Sequence, residues 1–177
     1  MAFLAGGPRG AAAAAYYLAA YFVTMLGAFG VVTILSVQDG DADRLEDYAG
    51  LGRRRPWLAG VFAGTLFSLA GIPLTAGFIG KFYIITAGVG SNLWLLVVVL
   101  VTTSAVGLFY YLRIVTAMYL LPSPNLPESP PGAALRTVPY SLAGAIALSS
   151  LMFALVWLGV YPGPLLRVIY AAVADLH

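Results

Sequence analysis

The sequence predicts an all-α integral membrane protein with four transmembrane helices, of which the second is discontinuous. Its composition is the first indication, because 61% of the residues are hydrophobic and 9% are charged, whereas globular domains carry about 25% charged residues. Four long apolar stretches are the second indication, since about 20 apolar residues cross a bilayer. The third is a proline flanked by glycines within the second stretch. We treat residues 1–177 as a single membrane domain.

The predicted spans follow one another with linkers of different character. They cover approximately residues 11–37, 57–87, 93–121 and 140–160. Residues 38–56 form a polar loop, residues 88–92 a tight turn, and residues 122–139 an extended proline-rich loop. Residues 165–176 are expected to form a short interfacial helix. The N-terminus has no basic segment before an apolar core, so it does not resemble a cleavable signal.

The distribution of arginines predicts the orientation. Cytoplasmic loops of membrane proteins carry an excess of basic residues. One predicted side holds Arg44, Arg53, Arg54, Arg55 and Arg136, and the other holds Arg9 and Arg167. We therefore expect loops 38–56 and 122–139 in the cytoplasm and both termini on the periplasmic side.

The composition also argues against several kinds of function. The chain has no cysteine, and its single histidine is the last residue, His177. Acidic residues are confined to Glu128, Asp175 and the segment from Asp39 to Asp47. We therefore expect neither a metal site nor a hydrolytic triad in this chain. The net charge of +2 provides no basic face for nucleic acid.

The second span is predicted to break between Gly71 and Gly77. A continuous helix over residues 57–87 would measure about 46 Å, which exceeds the thickness of the hydrocarbon core. Pro73 cannot donate a backbone hydrogen bond, and its ring clashes with the carbonyl of Leu69 in a continuous helix. The two glycines permit non-helical torsion angles on either side.

Polar groups freed by such a break need partners within the membrane. Ser68 and Thr75 are placed to provide them. Irregular backbone in transporters often lies next to an ion path, but a simple proline kink is the alternative. Gly60, Gly64 and Ser68 recur every fourth residue, a pattern typical of close helix packing.

Lys81, the only lysine, follows the break within the same span. The nearest charged residues along the chain are Arg55 before it and Arg113 after it. An intramembrane lysine that faces protein or water is a candidate for proton exchange. The alternative is that its flexible stem reaches the membrane surface near Gly88. No Asp or Glu lies inside any predicted span, so a charged partner for Lys81 would belong to other helices.

The third span is unusually polar. Arg113 lies near its end and is expected to reach the cytoplasmic surface, although a position along a channel is the alternative. The hydroxyl-bearing residues of this span either line a wet path or join helices: Thr102, Thr103, Ser104, Tyr110 and Tyr111.

The chain resembles the antiporter-like subunit N of bacterial NADH:quinone oxidoreductase, respiratory complex I. The resemblance is carried by residues 26–32, 48–51, 54–56, 68–83 and 107–113. It implies that the four spans correspond to the last four of fourteen helices, in a proton channel built from two inverted five-helix repeats with a broken helix in each. Lys81 occupies the position of the lysine in the stretch GFIGKF, on the route to the positive side of the membrane. The sister subunits differ there, since one has an acid after the lysine and the other has glutamate in its place.

The resemblance implies a role in a translocase. The chain would belong to the proton-translocating membrane arm that couples NADH oxidation and quinone reduction to proton pumping. It would carry no redox chemistry itself, because NADH, FMN, iron–sulfur clusters and the quinone are bound by other subunits. Proton transfer is assigned to Lys81. Possible contributors to channel lining or to the break are Ser68, Gly71, Pro73, Thr75, Gly77, Tyr110 and Arg113.

The same resemblance implies the setting and leaves alternatives open. The partners would be other membrane-arm subunits, the missing N-terminal helices and the lipids of the bacterial inner membrane. The earlier helices of the family, with their intramembrane glutamate and lysines, have no counterpart here, so we expect either a fragment or one chain of a split subunit. The alternatives are a subunit of a related cation/proton antiporter or membrane-bound hydrogenase, and an inactive truncated membrane fragment.

Overall fold

The described part of the chain consists of helices. The computed structural model describes residues 1–39, 44–120 and 142–174, and no strand occurs in these ranges. A 3-10 helix covers Leu45–Tyr48. The α-helices are α1 (Ala2–Ala5), α2 (Gly7–Asp39), α3 (Leu51–Arg54), α4 (Pro56–Ala70), α5 (Ala76–Gly90), α6 (Trp94–Leu120), α7 (Leu142–Val160) and α8 (Gly163–Ala174).

Three described helices are long and apolar enough to cross a membrane. They are the greater part of α2, at Gly7–Ser36, together with α6 and α7, and they match the first, third and fourth predicted spans. The second predicted span consists of two shorter helices, α4 and α5, of 15 residues each. Each measures about 22 Å, so neither crosses alone. The count of four spans stays a prediction.

The segments expected to be irregular are partly helical. Short helices, namely α1, α3 and the 3-10 helix, lie where the sequence suggested only loops. The turn after α5 is as short as predicted, because α6 begins four residues after α5 ends. The predicted loop 122–139, the acids at positions 41 and 43, and the C-terminal His177 lie outside the described residues.

Helix α2 is the central element of the bundle. It packs against α4, α5, α7 and α8. The largest cluster of buried apolar side chains lies around α4, with contributions from α2, α3, α6 and α7: Val31, Leu35, Tyr48, Leu51, Leu58, Ala59, Val61, Phe62, Ala63, Leu66, Met118 and Leu148. Helix α4 is therefore enclosed by protein on several sides, which suits a helix whose end must be held in place.

Two hydrogen bonds define the ends of the bundle. The N–H of Gly50 donates to the carbonyl of Ala117 over 3.3 Å, so the segment before α4 lies beside the C-terminal end of α6. The Ser91 hydroxyl donates to the carbonyl of Ala5 over 2.9 Å, so the turn after α5 lies beside the start of α2. Helices α4 and α5 together therefore run between the same two ends as α2 and α6.

The predicted C-terminal helix is present as α8, and its position at the membrane interface stays a prediction. Helix α8 places Leu165, Leu166 and Ile169 against the cluster around Tyr16. The Tyr16 hydroxyl donates to the carbonyl of Leu158 over 2.7 Å. Tyr16 is fully buried, so it joins α2 to the end of α7.

The break between α4 and α5 begins with a glycine. Gly71 has a φ of +83°, the left-handed region that glycine adopts most readily. Its N–H donates to the carbonyl of Ser68, and the N–H of Ile72 donates to that of Phe67, both over 3.0 Å. These two bonds form a Schellman motif, which ends an α-helix by satisfying its last carbonyls from residues beyond it.

The break is shorter than predicted. Helix α5 begins at Ala76, so Gly77 lies within its first turn and the irregular segment covers residues 71–75. The physical reason is that Ser68 replaces the hydrogen-bonding partner that the N–H of Gly77 would have in a continuous helix, since its Oγ accepts this N–H over 3.1 Å. Gly77 is needed for proximity, because a Cβ at this position would overlap the Ser68 carbonyl oxygen.

We expect Gly77→Ala to lower the free energy of unfolding by about 1–3 kcal/mol, the range for inserting an extra carbon into a packed interior. Gly60→Ala is the matched control, because a Cβ at Gly60 meets no atom within 4 Å. The control should be neutral or stabilising by up to about 1 kcal/mol, since alanine favours helix more than glycine does. Unfolding in mixed micelles titrated with a denaturing detergent measures both. Equal stabilities of the two variants would contradict the close approach at Gly77.

Candidate functional site

The side chain of Lys81 lies against the end of α4. Its Nζ donates to the carbonyl of Leu69 over 2.7 Å and to that of Ala70 over 3.2 Å. These are the last two residues of α4, whose carbonyls have no partner within the helix. The C-terminal end of a helix carries partial negative charge, so it attracts a cation. The break therefore creates the acceptors, and the lysine that follows it occupies them.

This geometry distinguishes between the two interpretations of Lys81. A side chain extended toward the surface would point along α5 toward Gly88, whereas long helical side chains favour rotamers that point back toward the N-terminus of their own helix. The Lys81 side chain points back toward the N-terminus of α5, since its Nζ lies about 3.2 Å from the position where Gly71 would carry a Cβ. The ammonium is thus turned toward the break and away from the nearer end of the bundle.

A cavity of about 190 Å³ adjoins the lysine. Helices α2, α4, α5 and α6 line it, and Lys81 lies on its wall. The volume is sufficient for several water molecules, each of which needs polar partners. Hydroxyl groups supply them at Tyr17, Tyr21, Thr24, Ser68, Thr103, Ser104 and Tyr111. No carboxylate is among the described residues that line this cavity.

Six of the residues that the sequence singled out line this cavity: Ser68, Gly77, Lys81, Thr103, Ser104 and Tyr111. Gly71 contacts the stem of the lysine. Pro73 lies in the irregular segment between the helices, as predicted.

Thr75 has a partner in the break itself and does not line the cavity. Its hydroxyl donates to the carbonyl of Ile72 over 2.7 Å, as expected for a residue that satisfies a freed carbonyl. Ser68 contributes differently from the expectation, because its hydroxyl accepts a backbone N–H and leaves the freed carbonyls to Lys81. The irregular segment packs closely on Gly159 of α7, where a Cβ would overlap the Leu74 carbonyl oxygen.

The remaining two predicted residues lie elsewhere. Tyr110 is 58% exposed on α6 and is absent from the lining of the cavity. Arg113 lies in a separate groove with Leu45, Phe109, Leu112, Thr116 and Ala117. The structure therefore does not bring Tyr110 or Arg113 together with Lys81.

The sequence interpretation missed the contribution of α2 to the cavity. Tyr17, Tyr21 and Thr24 follow one another at spacings of four and three residues, which places them on one face of a helix. Thr103, Gly107 and Tyr111 repeat every fourth residue on α6 in the same way. The sequence had already suggested the hydroxyls of α6 as a possible wet path, and the same helical spacing of hydroxyls in the first span is the signal that could have indicated the α2 wall.

These features define a multi-pass membrane protein in which a cation is held at the end of a broken helix beside a polar cavity. The profile of the family described as NADH:quinone oxidoreductase/Mrp antiporter, TM, matches residues 1–107. The chain belongs to this family.

Curated relatives agree with this membership. The chain is 50% identical over 162 residues to NADH-quinone oxidoreductase subunit N of Nitrosospira multiformis, an alignment that covers 84% of this chain and 31% of that protein. It is 46% identical over 161 residues to the subunit of the same name from Ectopseudomonas mendocina, with coverage of 88% and 31%. The chain therefore spans about a third of the length of these relatives.

Solved structures have the same arrangement of helices. A chain of the Mrp complex from Dietzia sp. DQ12-45-1b superimposes with a TM-score of 0.81 at 26% identity, over 97% of this chain and 39% of that one. A chain of respiratory complex I from Thermus thermophilus with bound aureothin superimposes with a TM-score of 0.70 at 30% identity, over 90% and 35%.

We expect the cavity to admit water while the outer side of α6 does not. The chain has no cysteine, so a single introduced thiol reports one position. In membranes, a small methanethiosulfonate reagent should label Ser104→Cys, which lies on the cavity wall. Val106→Cys, 54% exposed on another side of α6, should stay unlabelled because lipid does not support thiolate formation. Equal labelling at the two positions would contradict a hydrated cavity.

Proposed function

We propose that this chain is the C-terminal part of an antiporter-like subunit N of NADH:quinone oxidoreductase, in which Lys81 receives and releases the translocated proton. The observation that carries the proposal is the position of the lysine. Its Nζ is bonded to the two carbonyls that end α4, and it faces a cavity lined by hydroxyls. Within the described residues, the partners of this cation are backbone dipoles, and a cation so bound beside a space large enough for water is suited to changing its protonation state.

The arrangement of the helix ends supports four membrane crossings. Helix α4 starts beside the end of α6, and α5 ends beside the start of α2. On this basis α4 and α5 act as one interrupted crossing, which corresponds to the broken helix of the family. Their combined length of about 45 Å exceeds the hydrocarbon thickness, so the pair either tilts or extends beyond it.

The chemistry follows from the number of hydrogen atoms on the amine. An ammonium has three N–H donors, and the carbonyls of Leu69 and Ala70 accept two of them. The third donor is available to water in the cavity. When that proton leaves, the neutral amine still has two N–H groups for the same two carbonyls. The side chain can therefore keep its position through a cycle of protonation and deprotonation.

The direction of proton transfer at Lys81 has to be set by charged groups outside the cavity. No carboxylate lines the cavity within the described part of the chain, so the electrostatic balance at Lys81 is set by the helix end and by groups on other helices. A new charge nearby in a medium of low dielectric changes the protonation equilibrium of the lysine. Such a charge is the means by which quinone reduction in another part of the complex would drive release toward the periplasm.

The structure changes which residues hold water in this proposal. The Thr75 hydroxyl is already bonded to the carbonyl of Ile72, and Tyr110 and Arg113 lie away from the cavity. Ser104 and the tyrosines of the cavity wall take this role, because their hydroxyls adjoin the space beside the ammonium. Pro73 and Gly71 contribute through the shape of the break.

The proposal also places the chain in its cellular setting. Its partners are the helices that complete the subunit and the other subunits of the membrane arm, in a bacterial inner membrane with both termini periplasmic. FMN, iron–sulfur clusters, NADH and quinone belong to other subunits, because this chain contributes a proton path and no redox centre.

A cation/proton antiporter subunit is the second candidate. The Mrp complex is the structural neighbour with the higher TM-score of the two described, 0.81 against 0.70. The sequence favours complex I, since relatives at 46–50% identity carry the name of subunit N. Inverted membrane vesicles separate the two candidates: NADH oxidation should drive acidification of the lumen if the chain serves complex I, whereas added Na⁺ should drive proton exchange if it serves an antiporter.

Replacement of Lys81 tests the assigned role. In vesicles that contain the assembled enzyme, Lys81→Ala should reduce NADH-driven proton uptake strongly, because the only amine among the described residues that line the cavity is lost. Arg113→Ala is the control, since it also removes a cation from a span but from a separate groove. Uptake should stay near the wild-type rate in the control. Unchanged proton uptake in Lys81→Ala, at equal enzyme content, would remove Lys81 from the pathway.

A further inference from the structure

Two buried hydroxyls connect α5 to α2 through α4. Oγ1 of Thr24 on α2 lies 3.1 Å from Oγ of Ser68 on α4. Ser68 also accepts the N–H of Gly77 over 3.1 Å, and Thr24 donates to the carbonyl of Ala20 over 2.7 Å. The exposed fractions of the two side chains are 1% for Thr24 and 0% for Ser68. The bonds therefore form a continuous chain from the first turn of α5 to the backbone of α2.

The direction of each bond in this chain is fixed by the available hydrogen atoms. A hydroxyl has one hydrogen atom and two acceptor sites. Since Thr24 donates its hydrogen to Ala20, the Ser68 hydroxyl must donate to Thr24. Ser68 is then free to accept the N–H of Gly77. Each hydroxyl hydrogen therefore has an acceptor, and the bonds of the pair have a single orientation.

This orientation prevents the two hydroxyls from relaying protons, although both line the cavity. A relay needs groups at its two ends that give up and take up protons. Here one end is the amide N–H of Gly77 and the other is the carbonyl of Ala20, and neither exchanges protons readily at neutral pH. The function of the pair is therefore mechanical.

We infer that Thr24 and Ser68 are positioning residues, which hold the start of α5 on the last turn of α4 and thereby keep Lys81 within reach of the α4 carbonyls. The inference rests on the proposed function of Lys81. Gly77 precedes Lys81 by about one helical turn, or about 6 Å along the axis. A displacement of α5 at Gly77 therefore carries Lys81 with it. The ammonium then moves away from the carbonyls of Leu69 and Ala70 by about the distance that Gly77 has moved.

The break is thus closed by two clamps of different kinds. The lysine clamp, from Nζ to the carbonyls of Leu69 and Ala70, involves a group that gains and loses charge in the proposed mechanism. The hydroxyl clamp, from Gly77 through Ser68 to Thr24, contains only neutral groups. The hydroxyl clamp therefore keeps its strength when Lys81 is deprotonated, and it maintains the geometry to which the proton returns.

A thiol at position 81 tests the clamp without relying on proton pumping. In the Lys81→Cys chain the lysine clamp is absent, so of the two clamps only the hydroxyl clamp remains. Thr24→Val in this background keeps the shape of the side chain but removes the acceptor for Ser68. The rate of reaction with 2-aminoethyl methanethiosulfonate in membranes should rise by about fivefold, the change that loss of one hydrogen bond produces in an opening equilibrium.

Two matched variants serve as controls. Thr24→Ser retains the hydroxyl and should react at the rate of the parent chain. Thr65→Val removes another hydroxyl on α4 that is equally buried, with 1% exposure, but that hydroxyl donates to the nearby carbonyl of Phe62 and stays outside the clamp. If Thr24→Val prevents accumulation of the chain, Ser68→Ala takes its place in the same comparison.

Reaction rates that are equal in Thr24→Val and Thr65→Val would overturn the inference. A second measurement connects the hydroxyl clamp to function. In the assembled enzyme with Lys81 present, Thr24→Val should lower proton uptake, whereas Thr24→Ser should keep it at the wild-type rate. Faster thiol reaction with unchanged proton uptake would overturn the positioning role. If the proposed function is wrong, the result is different: Lys81→Ala shows normal proton uptake. The thiol reaction rates do not depend on whether Lys81 carries the proton.

Discussion

The hydrogen bonds from Lys81 to the end of α4 are the interaction on which the rest of the site depends. A helix that ends within the membrane leaves carbonyls without partners, and each of these is unfavourable in hydrocarbon. A lysine within the membrane is unfavourable for the complementary reason, since its charge lacks solvation. When the two are placed together, each reduces the cost of the other. The break and the lysine are therefore best understood as one unit, even though several residues separate them in the sequence.

The surrounding elements can be understood as supports for that unit. Gly71 turns the chain at the end of α4, and Gly77 permits the contact of α5 with the Ser68 carbonyl. Helix α7 covers the irregular segment at Gly159, where no side chain fits. Helix α2 contributes the hydroxyl of Thr24 from the other side. Each contact leaves the ammonium facing the cavity and restricts the motion of the backbone around it.

Much of this arrangement was predictable from the sequence, and the remainder was not for identifiable reasons. The break followed from Pro73 and its flanking glycines, and the candidate cation followed from the isolation of Lys81 among apolar residues. The partners of Lys81 did not follow, because backbone carbonyls leave no signature in the sequence. The roles of Tyr16 and Tyr17 were also hidden, since a tyrosine near the end of a span reads equally as an interfacial anchor or as a buried donor.

Helix α6 has a consequence for communication with the surroundings. It forms one wall of the cavity, yet 0% of its most apolar stretch is buried within the protein. On this side, the cavity is separated from the surroundings by the thickness of a single helix. A charge against the outer side of α6 would lie about 15 Å from the ammonium, where an effective dielectric constant of about 20 gives an interaction of about 1 kcal/mol. Such a charge on a neighbouring molecule would therefore change the ratio of protonated to neutral Lys81 about fivefold without touching the cavity.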